Sequence, residues 1–313
     1  MSRFDQVDYS ALPFPDAIET WSHQAILDAR MQAYLAEWGA ARALDPTLPA
    51  YDVAMMETDP AKRLQRVDAY RESLIRQRIN EAVRATYLAR ALKSDLTDRA
   101  AEYLTARADG ETDDSLRRRA QLAWENLSIG GSYGGYAYQA LSVAPAEIAD
   151  VAVLGYEARE SAIYGVKALT DMRKGEVRLA LLGAGASGAA SGSLIARVQA
   201  YCANRSRRKV NDLVNVVQAS LQPYVVQGTL VIKRGAPPSA VIDAARSRAA
   251  AYGAATRTIG VEATRGGYFA ALMADQPGLV VDVDLIAPAA TVGGGPMEAP
   301  ILTGVDLAWR YAA

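Results

Sequence analysis

Gly183, Gly185 and Gly188 spell G-A-G-A-S-G after an apolar run and ahead of a helical one, the spacing of a dinucleotide-binding turn. In such a turn the glycines let backbone amides approach a pyrophosphate, and an acid at the end of the next strand holds a ribose hydroxyl. The acid at suitable distance, Asp212, stands at the start of the following strand-like run, which puts it on the wrong edge of a sheet. The bland reading is a loop between strand and helix, with Ser191 or Ser193 as the helix N-cap. Any nucleophile, histidine and acid scheme must use His23, and any thiol chemistry must use Cys202, because the chain has one residue of each kind. Neither a two-histidine zinc site nor a cysteine cluster can be built from that supply within one chain. His23, beside Trp21 and Ile26, reads as an ordinary surface or half-buried histidine.

Thirty-four basic residues against thirty-five acidic ones leave a net charge of −1 and no long-range field for a phosphate backbone. The basic knots Arg117, Arg118, Arg119 and Arg205, Arg207, Arg208, Lys209 read as solvated faces or partner contacts, not as a nucleic-acid stripe. A lone cysteine points to a reducing setting. The N-terminal segment carries acids and prolines where a signal peptide needs a basic start and an apolar run. The least polar stretch, Val177 to Leu194, is broken by Gly and Ser, so no membrane contact is expected.

The elements that would position these residues can be read from periodicity and punctuation. After Pro13 and Pro15, Asp16 is the expected cap of a helix through Ile18, Trp21, Leu27, Met31, Tyr34, Leu35 and Trp38. Pro46, Pro49 and Pro60 predict an extended linker from Gly39, with a boundary near Pro60. From Ala61 to about Leu92 no Gly or Pro interrupts the three-and-four spacing of Leu64, Val67, Tyr70, Leu74, Ile75, Ile79, Ala82 and Val83. At ~1.5 Å per residue that helix would extend roughly 45 Å. Its other face carries Arg63, Arg66, Arg71, Arg76, Arg84 and Arg90, suited to water or partner carboxylates. Ser94 or Asp95 is expected to cap a short helix through Tyr103, and Asp113 or Asp114 one through Leu127. The SIGGS step, Ser128 to Ser132, ends that helix and caps the next, about Tyr133 to Leu141.

Beyond Pro145 the pattern shortens. Strands are expected at Ile148–Tyr156, Glu176–Leu182, Asp212–Ala219 and Tyr224–Lys233, with a helix near Ser193–Ala203. Helices over Pro237–Gly253 and Tyr268–Ala274 and strands over Leu279–Ile286 and Val305–Tyr311 follow, with Gly293 to Pro296 as a mobile loop. The fold class is α+β: a helical N-terminal half forming a helix bundle, followed by two small α+β units. The expected domains are an arm and linker over 1–60, a helical bundle over 61–144, a central unit over 145–222 and a C-terminal unit over 223–313.

The stretch AYRESLIRQRINEAVRATYLARALKSDLTDRAAEY, Ala69 to Tyr103, resembles the helical signature of the baseplate J family of contractile-tailed phages. Arg71, Glu72, Arg76, Gln77, Arg78, Asn80, Glu81 and Ala82 match that family's YRE…RQR-x-NEA run, and Ser94, Asp95 and Leu96 its SDL step. A second block, DDSLRRRAQLAWENLSIGGSYGGYAYQAL, is similar to the family's Arg-rich helix and Gly-Ser turn through Leu127, Ser128, Gly131 and Ser132. The sequence departs from the pattern with Arg-Lys-Val-Asn-Asp where the family usually has an Arg-Pro step.

The resemblance implies a structural wedge subunit, without catalysis or cofactor, in the baseplate ring around the central hub of a virion tail assembled in the bacterial cytoplasm. Its implied partners are a second copy, paired through the C-terminal unit, a smaller wedge subunit, and neighbouring hub, sheath and fibre-attachment proteins. The ring would hold the sheath extended and transmit the signal for contraction. The residues themselves add one expectation: Trp21, Met31, Tyr34 and Trp38, on a helix before a Pro-rich linker, bury in another chain. The alternative is an NAD(P)-dependent oxidoreductase using the Gly183, Gly185, Gly188 turn.

Overall fold

A computed structural model of the chain describes residues 8–9, 11–52, 56–128, 131–235, 237–274 and 279–312. Residues 1–7 of the N-terminal segment, 53–55 of the expected linker, and Ile129 and Gly130 of the glycine turn lie outside the described residues. The fold is α+β, with helices leading and strands following, and it divides into two compact units between Glu102 and Tyr103.

The first unit holds α1 (His23–Leu44), α2 (Pro60–Ala85) and α3 (Lys93–Glu102). Asp16 is not the cap of α1. Asn80 clasps the Glu19 backbone, accepting from its N–H at 3.1 Å and donating to its carbonyl at 2.8 Å, which removes both groups from a helical ladder. Ser22 caps instead, accepting from the Ala25 N–H, and α1 runs through Gly39 to Leu44, so the expected linker starts later. Asp59 caps α2 with Pro60 in the first turn, where a missing N–H costs nothing. α2 stops at Ala85, short of Leu92, and Thr86 closes it by donating its hydroxyl to the Val83 carbonyl. α3 begins at Lys93, so Ser94 and Asp95 occupy its first turn instead of capping it.

The second unit opens on an α-hairpin, α4 (Asp113–Asn126) and α5 (Tyr133–Val143), capped by Thr112 and Ser132. Thr112 takes the place expected of Asp113 or Asp114, whose carboxylates lie in the first turn where the helix dipole favours them. The chain continues through β1 (Ile148–Leu154), a short α6 (Ser161–Tyr164), β2 (Glu176–Gly183), α7 (Gly192–Cys202), β3 (Leu213–Gln218) and β4 (Ser220–Ile232). It closes with α8 (Pro238–Thr256), β5 (Glu262–Ala263), α9 (Arg265–Met273), β6 (Val280–Ala287), β7 (Val292–Gly293) and β8 (Glu298–Tyr311). The Gly293–Pro296 run is therefore not a plain loop: Gly293 pairs with Glu262 and takes φ +84°, a conformation that favours glycine.

Among the described residues three sheets result, ordered β1-β2-β3, β6-β4-β8 and β5-β7. β1 runs antiparallel to β2 with Val151 opposite Leu181, while β3 is parallel to β2. β8 is parallel to β4 from Ser220 opposite Glu298 to Ile232 opposite Tyr311. The first sheet packs Val151, Leu179 and Leu181 against Leu122, Tyr136, Leu141 and Val198 of the helices. The second packs Val226, Leu230 and Ile232 against Val241, Tyr268 and Leu272. A third cluster, with Ala152, Leu182, Ile259 and Ile301, ties the two together.

Candidate functional site

The glycine turn is built for the chain's own contacts. Gly188 takes φ +75°, and a Cβ there would meet Ile301 at 2.9 Å and Leu221 at 3.2 Å, so the loop lies on the core. Four backbone donors at the two ends of the turn are engaged: Gly183 N–H donates to the Gly188 carbonyl at 2.9 Å, Ala184 to Glu147 at 2.9 Å, Gly188 to Gly185 at 2.9 Å and Ala190 to Gln218 Oε1 at 2.6 Å. The Arg257 guanidinium donates to the Gly183 carbonyl at 3.1 Å and also to that of Gly185. Asp212 lies at the opposite edge of the parallel β2-β3 pair and accepts from the Tyr136 hydroxyl at 2.7 Å. With β1 antiparallel and this sheet three-stranded, the turn lacks the doubly wound setting that gives the fingerprint its meaning.

His23 is exposed at the start of α1. Cys202 is buried in α7, and burial pushes its thiol up to about 12, against thiolate chemistry at neutral pH. Among the described residues no group of three or more His, Cys, Asp or Glu could hold a metal ion, and no helix is long and apolar enough to cross a membrane.

The signature residues of α2 divide between two faces. Glu72 and Asn80 face α1. Arg30 donates to Gln65 at 3.0 Å, Asp68 at 3.1 Å and Glu72 at 3.2 Å, and Arg76 bridges Glu72 and Glu19. Hydrogen bonds from Arg76, followed by those from Arg30, hold the Glu72 carboxyl below its usual range. Apart from Ala69, which packs with Ile26 and Leu27, this contact is polar.

The apolar face of α2 points away from α1. Leu64, Val67, Tyr70, Leu74, Ile75 and Ile79 are all exposed, Ile75 to 60%. At about 100° per residue, Val67, Arg71, Leu74 and Arg78 form the middle of that open stripe, opposite Gln65, Ala69, Arg76 and Asn80. Arg71 has no ion-pair partner among the described residues, and Arg78 reaches only Glu81, at 3.4 Å, with 83% of its side chain exposed. Arg78, Glu81, Ser94 and Asp95 line one open crevice between α2 and the start of α3, while Leu96 is buried.

Trp21, just before α1, and Met31, Tyr34 and Trp38 on it find cover within their own chain. Trp21 and Met31 pack against Ile26, Leu27 and Ala69. Tyr34 stacks on Trp38 at 6.5 Å, Tyr51 meets both rings, and the Trp38 indole donates to the Pro49 carbonyl at 3.1 Å. All four residues are half-buried, so the premise that this helix cannot cover them itself is corrected: the segment after α1 folds back onto it.

In the second unit Ser132 accepts from the Gly135 N–H at 3.0 Å and donates to the Glu125 carbonyl at 3.0 Å, closing the turn as expected. Sequence reasoning missed what rests on that turn. Lys209 donates to the Ser128 carbonyl at 2.5 Å, and its stem lies where a Cβ on Gly131 would fall, 2.9 Å away. The Arg-Lys-Val-Asn-Asp departure is thus a strap over the glycine turn. The Arg117–Arg119 knot is also corrected: Arg119 is buried with Glu111, its Nε and Nη2 each 2.7 Å from a carboxylate oxygen, and Arg118 reaches Asp150 at 2.7 Å. Burial alone would raise the Glu111 carboxyl, but bonds from Arg119, the Ala108 N–H and Ser115 outweigh it and hold the group low. The triple-arginine run was the available signal, but the partner, eight residues earlier, is not visible from composition.

The open, arginine-bearing face of α2 and the crevice beside it lie within the part of the chain for which comparison is most specific: residues 57–109 match the family model described as the baseplate J-like N-terminal domain. The chain is also 30% identical over 301 residues to baseplate protein J of Escherichia phage P2, an alignment covering 91% of this chain and 92% of that protein. A helical signature matched at its own positions and a relative aligned along nearly the whole length of both chains lead to one conclusion: this protein belongs to the baseplate J family.

Proposed function

We propose that this chain is a structural, non-catalytic wedge subunit of a contractile-tail baseplate, a virion component whose ring surrounds the central hub and transmits the signal for sheath contraction. The observation that carries the reading is the orientation of α2, whose apolar residues and Arg71 and Arg78 face outward while its polar side packs on α1. A helix that spends its hydrophobic stripe on solvent gains nothing in isolation, so the stripe belongs to a contact with other polypeptides. The partners are helices of a second copy and of a smaller wedge subunit, which also complete the burial of Trp21, Met31, Tyr34 and Trp38. Hub, sheath and fibre-attachment proteins border the ring, and neither nucleic acid nor membrane is engaged.

The test is electron microscopy of tail particles carrying a gold-binding tag on this chain. Label at the distal end of the tail, and tails without baseplates when the chain is withheld, support the reading. Label along the tube, or intact baseplates without the chain, overturn it.

A further inference from the structure

The sheet β6-β4-β8 has two edges, and they are finished differently. At the end of β6, Arg265 occupies the carbonyl of Leu285 and, just past the strand, that of Pro288. In the neighbouring sheet, Gln199 seals β3 by accepting from the Val216 N–H at 2.7 Å and donating to the Val214 carbonyl at 3.0 Å. β8 has no such seal. From Leu302 to Tyr311, among the described residues, its backbone bonds only to β4. It ends on Trp309 and Tyr311, exposed to 43% and 42%, with their rings 5.1 Å apart. An open edge of this length is a template for a further strand, which folded proteins ordinarily blunt.

The sequence of the edge selects the strand. Asp306 and Arg310 lie on one face, about 13 Å apart at ~3.3 Å per residue, too far to pair with each other. Neither has an ion-pair partner among the described residues. An antiparallel copy of the same strand, related by a two-fold axis at Ala308, sets residue 308 + k opposite 308 − k. Asp306 then faces Arg310 of the second copy, and Arg310 faces its Asp306. On the other face Trp309 meets Leu307, and Tyr311 meets Val305. Moving the register by two residues places both charges opposite uncharged positions. An isologous contact must be self-complementary in this way.

We propose that two copies of this chain pair through antiparallel β8 strands over Val305–Tyr311, centred on Ala308, joining their three-stranded sheets into one continuous sheet of six. The proposal rests on the reading that the C-terminal unit pairs with a second copy, and it names the strand and register. A seven-residue strand contact is small beside a standard stable interface, so it holds weakly in free solution and firmly where a ring brings copies together.

Disulfide trapping of the full chain tests the pairing. Directly opposed residues of antiparallel strands have Cα atoms about 4.5–5.5 Å apart, inside the range a disulfide spans. Ala308→Cys should therefore give a covalent dimer under mild oxidation, with at least ten times the yield of Asp243→Cys, an exposed position on α8. Cys202, being buried, stays out of the reaction. Adding Arg310→Asp should cut the yield about tenfold, and adding Asp306→Arg to that variant should restore it. A yield at 308 no higher than at 243 overturns the pairing, and trapping that Arg310→Asp leaves unchanged overturns the register. Chains that enter tail particles without trapping at 308 refute the strand contact and leave the baseplate reading standing. Trapped dimers that never enter particles do the reverse.

Discussion

The unit from Tyr103 onward and the unit before it use similar residues to opposite ends. In the later unit Leu179, Leu181, Leu230 and Ile232 are fully buried, and the arginines beside them, Arg119 and Arg178, are drawn in with carboxylates. In the earlier unit the helix contact is made by Arg30, Asp68, Glu72 and Asn80, while Leu64, Leu74, Ile75 and Ile79 face out. Burial of a large apolar side chain is worth about 1.5–3 kcal/mol, so the first arrangement stabilises a fold and the second reserves that free energy for association. The direction of one helix face separates the two units.

The contrast should break most visibly at the buried ion pair. Glu111→Ala leaves the Arg119 guanidinium buried without its counter-charge and should cost about 3–5 kcal/mol by urea unfolding. A loss under about 1 kcal/mol would mean that the hairpin relaxes to admit water. Leu181→Ala, deep in the first sheet, should cost about 2–5 kcal/mol in the same assay.

Acid sharpens the same difference. Burial pushes the Glu111 and Glu176 carboxyls up, but hydrogen bonds from Arg119 to the first and from Asn215, the Arg173 N–H and Arg178 to the second leave both lower than usual in the folded chain. Their contribution is present in full above the unfolded glutamate pKa of about 4.3 and fades as pH falls through the depressed folded values. The melting temperature should therefore drop as pH falls below about 4.3, and Glu111→Gln should flatten that limb. An unchanged limb in the variant would remove Glu111 from the account. The smallest effect belongs to the open face: Leu74→Ala should change stability by less than about 0.5 kcal/mol, although the same replacement at Leu181 is severe.

What the sequence disclosed followed how local each cause was. Ser132 and Ser191 act within three residues of themselves, and the starts of α5 and α7 could be placed from them nearly to the residue, whereas β8, expected from Val305, begins at Glu298. The start of α1 failed because its cause, Asn80, lies sixty-one residues away. The facing of α2 was not legible for a related reason. Periodicity shows that Leu64, Val67 and Leu74 share a stripe, but not whether the chain or a partner covers it, and the polar alternative through Arg30 depends on a second helix. The family signature was legible as a string of residues. That Arg71 and Arg78 stand out among exposed leucines while Glu72 and Asn80 turn toward α1 emerges only in three dimensions.

The central claim is that the outward face of α2 is covered in the assembled tail and bare in the free chain. Hydroxyl-radical footprinting of Leu64, Leu74 and Ile75 in both states tests it directly. Oxidation should fall at least fivefold on assembly at these three residues, with little change at Val166, which is fully exposed and lies on a different unit. Equal oxidation of α2 in the free chain and in the particle would contradict the account.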